Sequence, residues 1–561
     1  MRILLITPPL TQLNTPYPAT AYLKGLYVAQ GHDVRQVDLG IEVADRVLSR
    51  SFLESIGLKE QARLIEPVKR FLRGQDDTLG PRIANRSLLP ELLPDGGNSR
   101  QRRGRFGQLD EDNLEWSFGV SGTTDKALYL ATLFVEDIAD HIREHVDPHF
   151  DLVRYAEYLS NDAPTFDPLY NELQQEPSPV DRIMLELLQA HVSDFGPDRV
   201  DITVPFPGCL YGALRCGQWL KVHTAAQVEL GGGFPNTEWR QCNEPRLYGF
   251  CDSIAIDGHP EAINHCPDFS DLPLDRYLSL VEMTNPMHRL WSQGRWNKMV
   301  MAQGCYWHRC AFCDTTLPYI GSYRAPKAAT VVDRMERIVA QTGRTGFHFV
   351  DEALPPKLLG EVAGEILRRG LTMSFWGNIR FEKAYSAELC DLLAEAGMVA
   401  VSGGLEVASD RLLRLMDKGV TIRQTVEACR HLRDAGIMVH TYLMYGFPTE
   451  TLQETVDALE TVRRMFDEGI VQSAFWHRYA MTCHSPSGQT PERYGARRTT
   501  MLPNPFCNNE VDWEPSFGYD IEAVGAALRL ATYNYMNGLG LDQPVRSWFP
   551  IRVPKPTVIQ L

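Results

Sequence analysis

Six apolar runs, each followed by an amphipathic helical pattern, constrain what the second half of this chain can become. They read "KMVMAQG" from 298, "GFHFVDE" from 346, "LTMSFWGN" from 371, "MVAVSGGLE" from 398, "IMVHTYLMYGFP" from 437 and "VQSAFWHRYAM" from 471. Between them lie patterns such as "SAELCDLLAEAG", "TIRQTVEACRHLRDAG" and "TLQETVDALETVRRMF", with apolar residues at helical spacing. Strands joined through helices pair in parallel, so residues 276–500 are expected to form a parallel (β/α)6 barrel, complete or open. Chemistry in such a sheet gathers at the carboxyl ends of the strands. Those ends carry a cysteine loop after the first run, Asp351 and Glu352 after the second, Asn378 and Arg380 after the third and Glu406 after the fourth. His440 and Tyr442 are two apart on the fifth run and point the same way.

The first half repeats the alternation with a gap. "RILLITPP", a helical stretch "ATAYLKGLYVAQGH" and "DVRQVDLG" open it; "RVDITVPFPG", "LYGALRCGQWLKVH", "AQVELGGGFP" and "DSIAIDGH" resume it after 199. The expectation is an α/β domain over 1–275 with a parallel sheet, interrupted by a helical insertion at about 43–195. Within the insertion, "PDGGNSRQRRGRFGQ" reads as a loop, and its basic cluster "SRQRRGR" as a solvated patch. The Pro- and aromatic-rich stretch 501–561 is expected to pack over the barrel mouth. Cys209 and Cys216, nearly two helical turns apart, read as helix packing.

Composition narrows the class. A length of 561 residues with 44% hydrophobic and 23% charged residues suits a globular chain of two or three domains. No apolar run reaches membrane-spanning length, and the apolar start lacks the features of a signal peptide, so a cytoplasmic protein without a membrane partner is expected. A net charge of −15 argues against nucleic acid as a main partner.

The segment "GCYWHRCAFCDTT", at 304–316, brings Cys305, Cys310 and Cys313 within nine residues. A structural zinc site wants four ligands, usually from two hooks. Only one hook is present, and His308 or Asp314 lies too close in sequence to complete a tetrahedron comfortably. A 4Fe–4S cluster fits three thiolates better, with one iron left open to a cofactor.

Placed after the first barrel strand, this loop resembles that of the radical S-adenosylmethionine enzymes, whose usual spacing is C-x3-C-x2-C. Four residues, "YWHR", stand here between the first two cysteines. The resemblance implies a partial TIM-type barrel, a 4Fe–4S cluster on Cys305, Cys310 and Cys313, and S-adenosylmethionine chelating the open iron. It also implies cleavage to a 5′-deoxyadenosyl radical, with electrons from an external donor such as flavodoxin or ferredoxin. On this reading Phe312 lies beside the adenine, and Asp351 and Glu352 near the amino group, with Asn378 at the same rim. Arg380 meets the carboxylate, Glu406 the ribose or amino end, and Gly446 in "YGFP" lies along the adenine. Arg380 with Glu382 also reads as a surface ion pair, and "YGFP" as a simple turn. In "FWHRYAMTCHSP", His477, Cys483 and His484 read equally as substrate contacts or a hydrogen donor at the mouth and as ordinary packed loop residues.

The first domain resembles a flavodoxin-like (Rossmann-type) domain. Ahead of a radical barrel, it looks like the cobalamin-binding module of the class that joins the two. The turn after the first strand, "TPPLTQLN" with Pro8, holds no histidine to ligate cobalt, which implies an open or water-filled lower face, as in methylating members. The nucleotide tail is expected among Val204, Pro205 and Phe206, Gly231, Gly232, Gly233 and Phe234, and Asp257 and Gly258. The alternative is a degenerate domain that binds nothing. The combined expectation is a cobalamin-dependent methyltransferase acting on an unactivated carbon or phosphorus of a small metabolite or peptide. Its rivals are a radical cyclase or rearrangement enzyme on the same scaffold, and an iron–sulfur or zinc-stabilised module without turnover.

Overall fold

The computed structural model describes residues 1–90, 122–153, 157–159, 163–499, 505–514, 517–558 and 561, so the polar loop and basic cluster expected at 94–108 lie outside the described residues. The chain divides into two compact units between Thr284 and Asn297.

The first unit is built on five parallel strands, β1 (Arg2–Thr7), β2 (Asp33–Asp38), β3 (Arg199–Thr203), β4 (Gln227–Gly231) and β5 (Ser253–Ala255). Their spatial order is β2-β1-β3-β4-β5, that of a flavodoxin-like doubly wound sheet, with the reversal between β1 and β3. Leu4, Ile6, Val200, Ile202, Val228 and Leu230 are at most 1% exposed and join one core. Burial of each such side chain contributes about 1.5–3 kcal/mol.

The described residues of the insertion are mostly helical, and its first helix begins at Leu39, directly after β2, rather than near 43. Asp38 starts it by accepting the Ile41 amide at 3.2 Å. Its last helix, Pro179–Phe195, opens with a reciprocal cap between Ser178 and Asp181 and ends on Gly196.

The second unit holds six parallel strands, β6 (Asn297–Met299), β7 (Gly346–Phe349), β8 (Ser374–Ile379), β9 (Met398–Glu406), β10 (Met438–Tyr445) and β11 (Ser473–Arg478). They stand in sequential order from β6 to β11, the open (β/α)6 arrangement expected. Reciprocal caps start two of the intervening helices, Thr421 with Gln424 and Thr451 with Glu454. One sheet face is sealed: Phe347, Phe349, Phe375, Val401, Val439 and Leu443 are at most 1% exposed. In the tail, helix Ile521–Met536 packs on β11 and on helix Leu452–Asp467. The Trp476 indole donates to Thr532 Oγ1 at 2.7 Å. This helix therefore joins the outer layer, because its apolar stripe of Val524, Leu528, Ala531 and Tyr535 needs cover.

Candidate active site

The cysteine loop leaves β6 and is anchored by a neighbouring strand. Asp351, at the end of β7, accepts the amides of Met301 at 2.8 Å and Ala302 at 2.7 Å. Its carboxylate thus fixes the loop's entrance, a role unlike the amino-group contact the resemblance implies. Burial pushes this carboxyl up to about 7 against those amide bonds. Glu352 is open to solvent but partly enclosed by protein; that desolvation, then the Asp314 charge, raises its carboxyl. Asn378 on β8 donates to the Asp351 carbonyl at 3.2 Å.

The four residues between the first two cysteines have a defined seat. The Trp307 indole donates to the Asp417 carbonyl at 2.8 Å. Its ring lies against Gly419, whose φ is +76° and where a Cβ would come within 2.1 Å of the indole. The Arg380 guanidinium lies 4.6 Å from the centre of the Trp307 ring and that of Arg309 5.0 Å. Arg309 also pairs with Asp417 at 3.0 Å. The four-residue spacer is therefore a docked loop.

Arg380 is 4% exposed and reaches Cys310 Sγ at 3.7 Å while donating to the Lys418 carbonyl. Its pairing with Glu382 is longer, at 3.8 Å, so its main setting is the cysteine loop. Lys418, which no motif flagged, forms a 2.6 Å ion pair with Glu406, both side chains 9% exposed. Its ammonium stands 5.4 Å from the centre of the Phe312 ring. Burial works against its charge, but Glu406 and then Cys310 raise its pKa overall. Glu406 itself sits at a positive φ of 59°, an unusual conformation for a residue with a side chain.

The hook Cys310–Cys313 is bound from behind by the turn after β11. The Ser487 amide and hydroxyl donate to the Ala311 carbonyl at 2.9 and 2.6 Å. Thr482 donates to Asp314, and Thr316 to the His484 carbonyl at 2.8 Å. Cys483 belongs to this bracing turn, its amide on the Asn509 carbonyl at 2.7 Å. The Gly446 and Phe447 amides donate to Glu450 Oε2 at 2.7 and 3.1 Å. Glu450, also missed in sequence, thereby sets the "YGFP" turn.

Among the described residues no three His, Cys, Asp or Glu side chains converge as ligands of a single metal ion. A cluster several ångströms across spaces its thiolates more widely, and the donor set suits one. Cys310 is drawn below the usual thiol range, first by the Cys313 thiol donating to it and, against burial, by the charges of Lys418 and Arg380. A thiolate between two buried cations is the ligand an iron–sulfur cluster takes.

In the first unit the expected cofactor rim sorts into two kinds of residue. Val204 and the 231–234 turn are cross-bonded, the Val204 amide to the Gly231 carbonyl and the Phe234 amide to the Val204 carbonyl at 3.0 Å. Gly232, with φ +114°, lies so close that a Cβ would meet the Val204 backbone at 2.8 Å, and Gly233 abuts the Pro205 carbonyl. Close approach here is of chain to chain. Pro8, Val204, Pro205 and Phe234 are buried. Asp257 is held by Arg240. Exposed at this end are Phe206 at 53%, Ile256 at 36% and Gly258. The Tyr17 ring meets Phe206 edge-on at 5.8 Å. An apolar, partly aromatic rim at the carboxyl ends of β1, β3 and β5 fits a flat macrocycle such as a corrin.

Residues 299–462, which carry the cysteine loop and strands β7 to β10, match the Radical SAM superfamily. A match to that family implies a 4Fe–4S cluster and S-adenosylmethionine for this stretch. Over 172 residues the chain is 33% identical to the anaerobic magnesium-protoporphyrin IX monomethyl ester cyclase of Cereibacter sphaeroides, covering 30% of this chain and 27% of that one. It is 22% identical over 201 residues to the uncharacterized methyltransferase PH0819 of Pyrococcus horikoshii, covering 36% of this chain and 41% of that protein. The matched stretches thus span less than half of either relative. Among solved structures, the cobalamin-dependent S-adenosylmethionine radical enzyme OxsB with aqua-cobalamin bound aligns with TM-score 0.47 at 14% identity, covering 62% of this chain and 59% of that one. No helix among the described residues is long and apolar enough to cross a membrane.

Proposed function

We propose that the protein is a cobalamin-dependent radical S-adenosylmethionine methyltransferase acting on an unactivated carbon or phosphorus of a small molecule or peptide, with a reduced flavodoxin or ferredoxin as electron donor. The observation that carries the reading is the joining of two parts in one chain. A thiolate loop flanked by Arg380 and Lys418 stands at the end of a radical barrel strand, and a flavodoxin-like sheet bears an exposed apolar rim.

Bound at these two places, the cluster with S-adenosylmethionine supplies one-electron cleavage of a carbon–sulfur bond, and cobalamin supplies a methyl carrier. The chain's own part is binding and alignment. Cys305, Cys310 and Cys313 hold the cluster, with Arg380 and Lys418 balancing thiolate charge. Glu352 and Asn378 line the rim where an amino group binds, and Glu406, fixed by Lys418, presents a carboxylate at the end of β9. Glu450 holds the "YGFP" turn in place for an adenine edge. Phe206, Tyr17 and Ile256 offer the macrocycle its apolar seat.

The methyltransferase name of the Pyrococcus relative supports methyl transfer; the cyclase name of the Cereibacter relative favours, as second reading, ring formation on the same scaffold. Anaerobic reconstitution tests both. Expected are roughly four irons and four sulfides per chain, a bound corrinoid, and 5′-deoxyadenosine after reduction. Zinc alone, or no cleavage under strong reductant, rejects the enzyme reading; a product without a new methyl group selects the cyclase.

A further inference from the structure

The sheet face opposite the sealed one carries side chains that cluster binding does not use. Register sets Lys298 of β6 beside His348 of β7, and His348 beside Trp376 of β8. The imidazole and indole are stacked, ring centres 3.6 Å apart and planes 7° from parallel. Further along the same face His440 meets Tyr442 at 4.9 Å and Phe475 at 4.7 Å, both edge-on. All six alternate with the fully buried Met299, Phe347, Phe375, Val439, Leu443 and Ala474 of the helix-covered side, so they look inward.

Lys298 is the one amine in this row. Among the described residues it has neither ion pair nor hydrogen bond, and burial alone acts on its charge, lowering it to about 7. The neighbouring imidazoles add no negative charge. His348 is kept neutral by burial and then by Lys298, and His440 by burial and then by His477. Arg380 and Glu406, nearer the strand ends, are already engaged with the cysteine loop and Lys418. An enclosed amine without a counter-ion is costly, and a wall of neutral rings beside it selects for flat, unsaturated groups.

We propose that this inner face binds a small organic acid, its carboxylate paired with Lys298 and its flat body set against His348 and the rings beyond. The proposal rests on the radical-enzyme reading and adds the substrate's chemical class: an anion with an aromatic or conjugated body rather than an amine.

The test uses the reconstituted enzyme with S-adenosylmethionine and no reductant, titrated calorimetrically with benzoate, benzamide and benzylamine. Benzoate is expected to bind about tenfold or more tightly than benzamide, a gap of about 1.4 kcal/mol, and benzylamine not to bind. Lys298→Met should erase that preference and Lys298→Arg should keep it; Lys298→Gln replaces the methionine variant if that one fails to fold. Equal affinity for benzoate and benzamide, no binding of benzoate, or a preference that survives Lys298→Met and Lys298→Gln overturns the proposal. Because binding is read without turnover, failure here is distinct from failure to cleave S-adenosylmethionine on reduction, which would overturn the radical-enzyme reading instead.

Discussion

At Lys418 one ammonium meets the Glu406 carboxylate, the Phe312 ring and the field of Cys310. Removing one partner of such a buried pair leaves the other charge stranded, a loss of about 3–5 kcal/mol. Lys418→Met should therefore lower the urea midpoint of the barrel unit, and Lys418→Met with Glu406→Leu should restore most of it. A double variant no more stable than the single one would show that the stranded Glu406 charge is not the source of the loss. The three cysteines stand out in the sequence because thiol spacing is a local property of the chain. Lys418 was not, since nothing in its surroundings "MDKGV" marks it; its role exists only once the loop after helix Asp410–Leu415 is folded back over Phe312. Asp351 was legible as a strand-end acid but its partners were not, because the amides of Met301 and Ala302 are some fifty positions away.

Among elements, the strands and helices were read from alternation and periodicity with little loss: β9 and the helix Leu210–His223 match the quoted runs end to end. Loops were harder, because a loop's conformation is set by what it touches. The four-residue spacer could be seen in sequence, its docking on Asp417 and Gly419 could not. Trp307→Ala, or Gly419→Ala with its Cβ driven into the indole, should lower cluster retention after anaerobic desalting severalfold while leaving secondary structure by circular dichroism unchanged. Retention equal to that of the parent would mean the spacer is idle. The turn after β10 makes a pH prediction. Glu450 is 5% exposed, and its carboxyl is pushed by burial up to about 7. Between the unfolded value near 4.5 and 7 the folded state holds a proton that the unfolded chain has lost, so this group's stabilising contribution falls as pH rises. The fall amounts to about 3 kcal/mol over that window. In Glu450→Gln the decline should flatten, as read by urea midpoints from pH 4.5 to 7.5; parallel profiles would refute the assignment.

For the molecule as a whole, each unit carries its own sheet and core and, on the proposed reading, its own cofactor, so the two should fail separately. Gly232→Val places a side chain into the Val204 backbone and distorts the rim of the first sheet. Corrinoid retained through gel filtration is expected to fall by an order of magnitude or more, with iron per chain unchanged. Simultaneous loss of both would tie the rim to the barrel instead. The ordering of the cysteine loop has a different reach. Its fastenings come from Asp351, from 417–419 and from Ser487, the last 176 positions beyond the carbonyl it holds. A nascent chain exposes all three thiols long before it makes the turn that braces them, and contacts so distant along the chain form late. If the three thiols hold the cluster proposed above, a polypeptide halted ahead of Thr482 is expected to carry every ligand yet to retain less iron than the full chain.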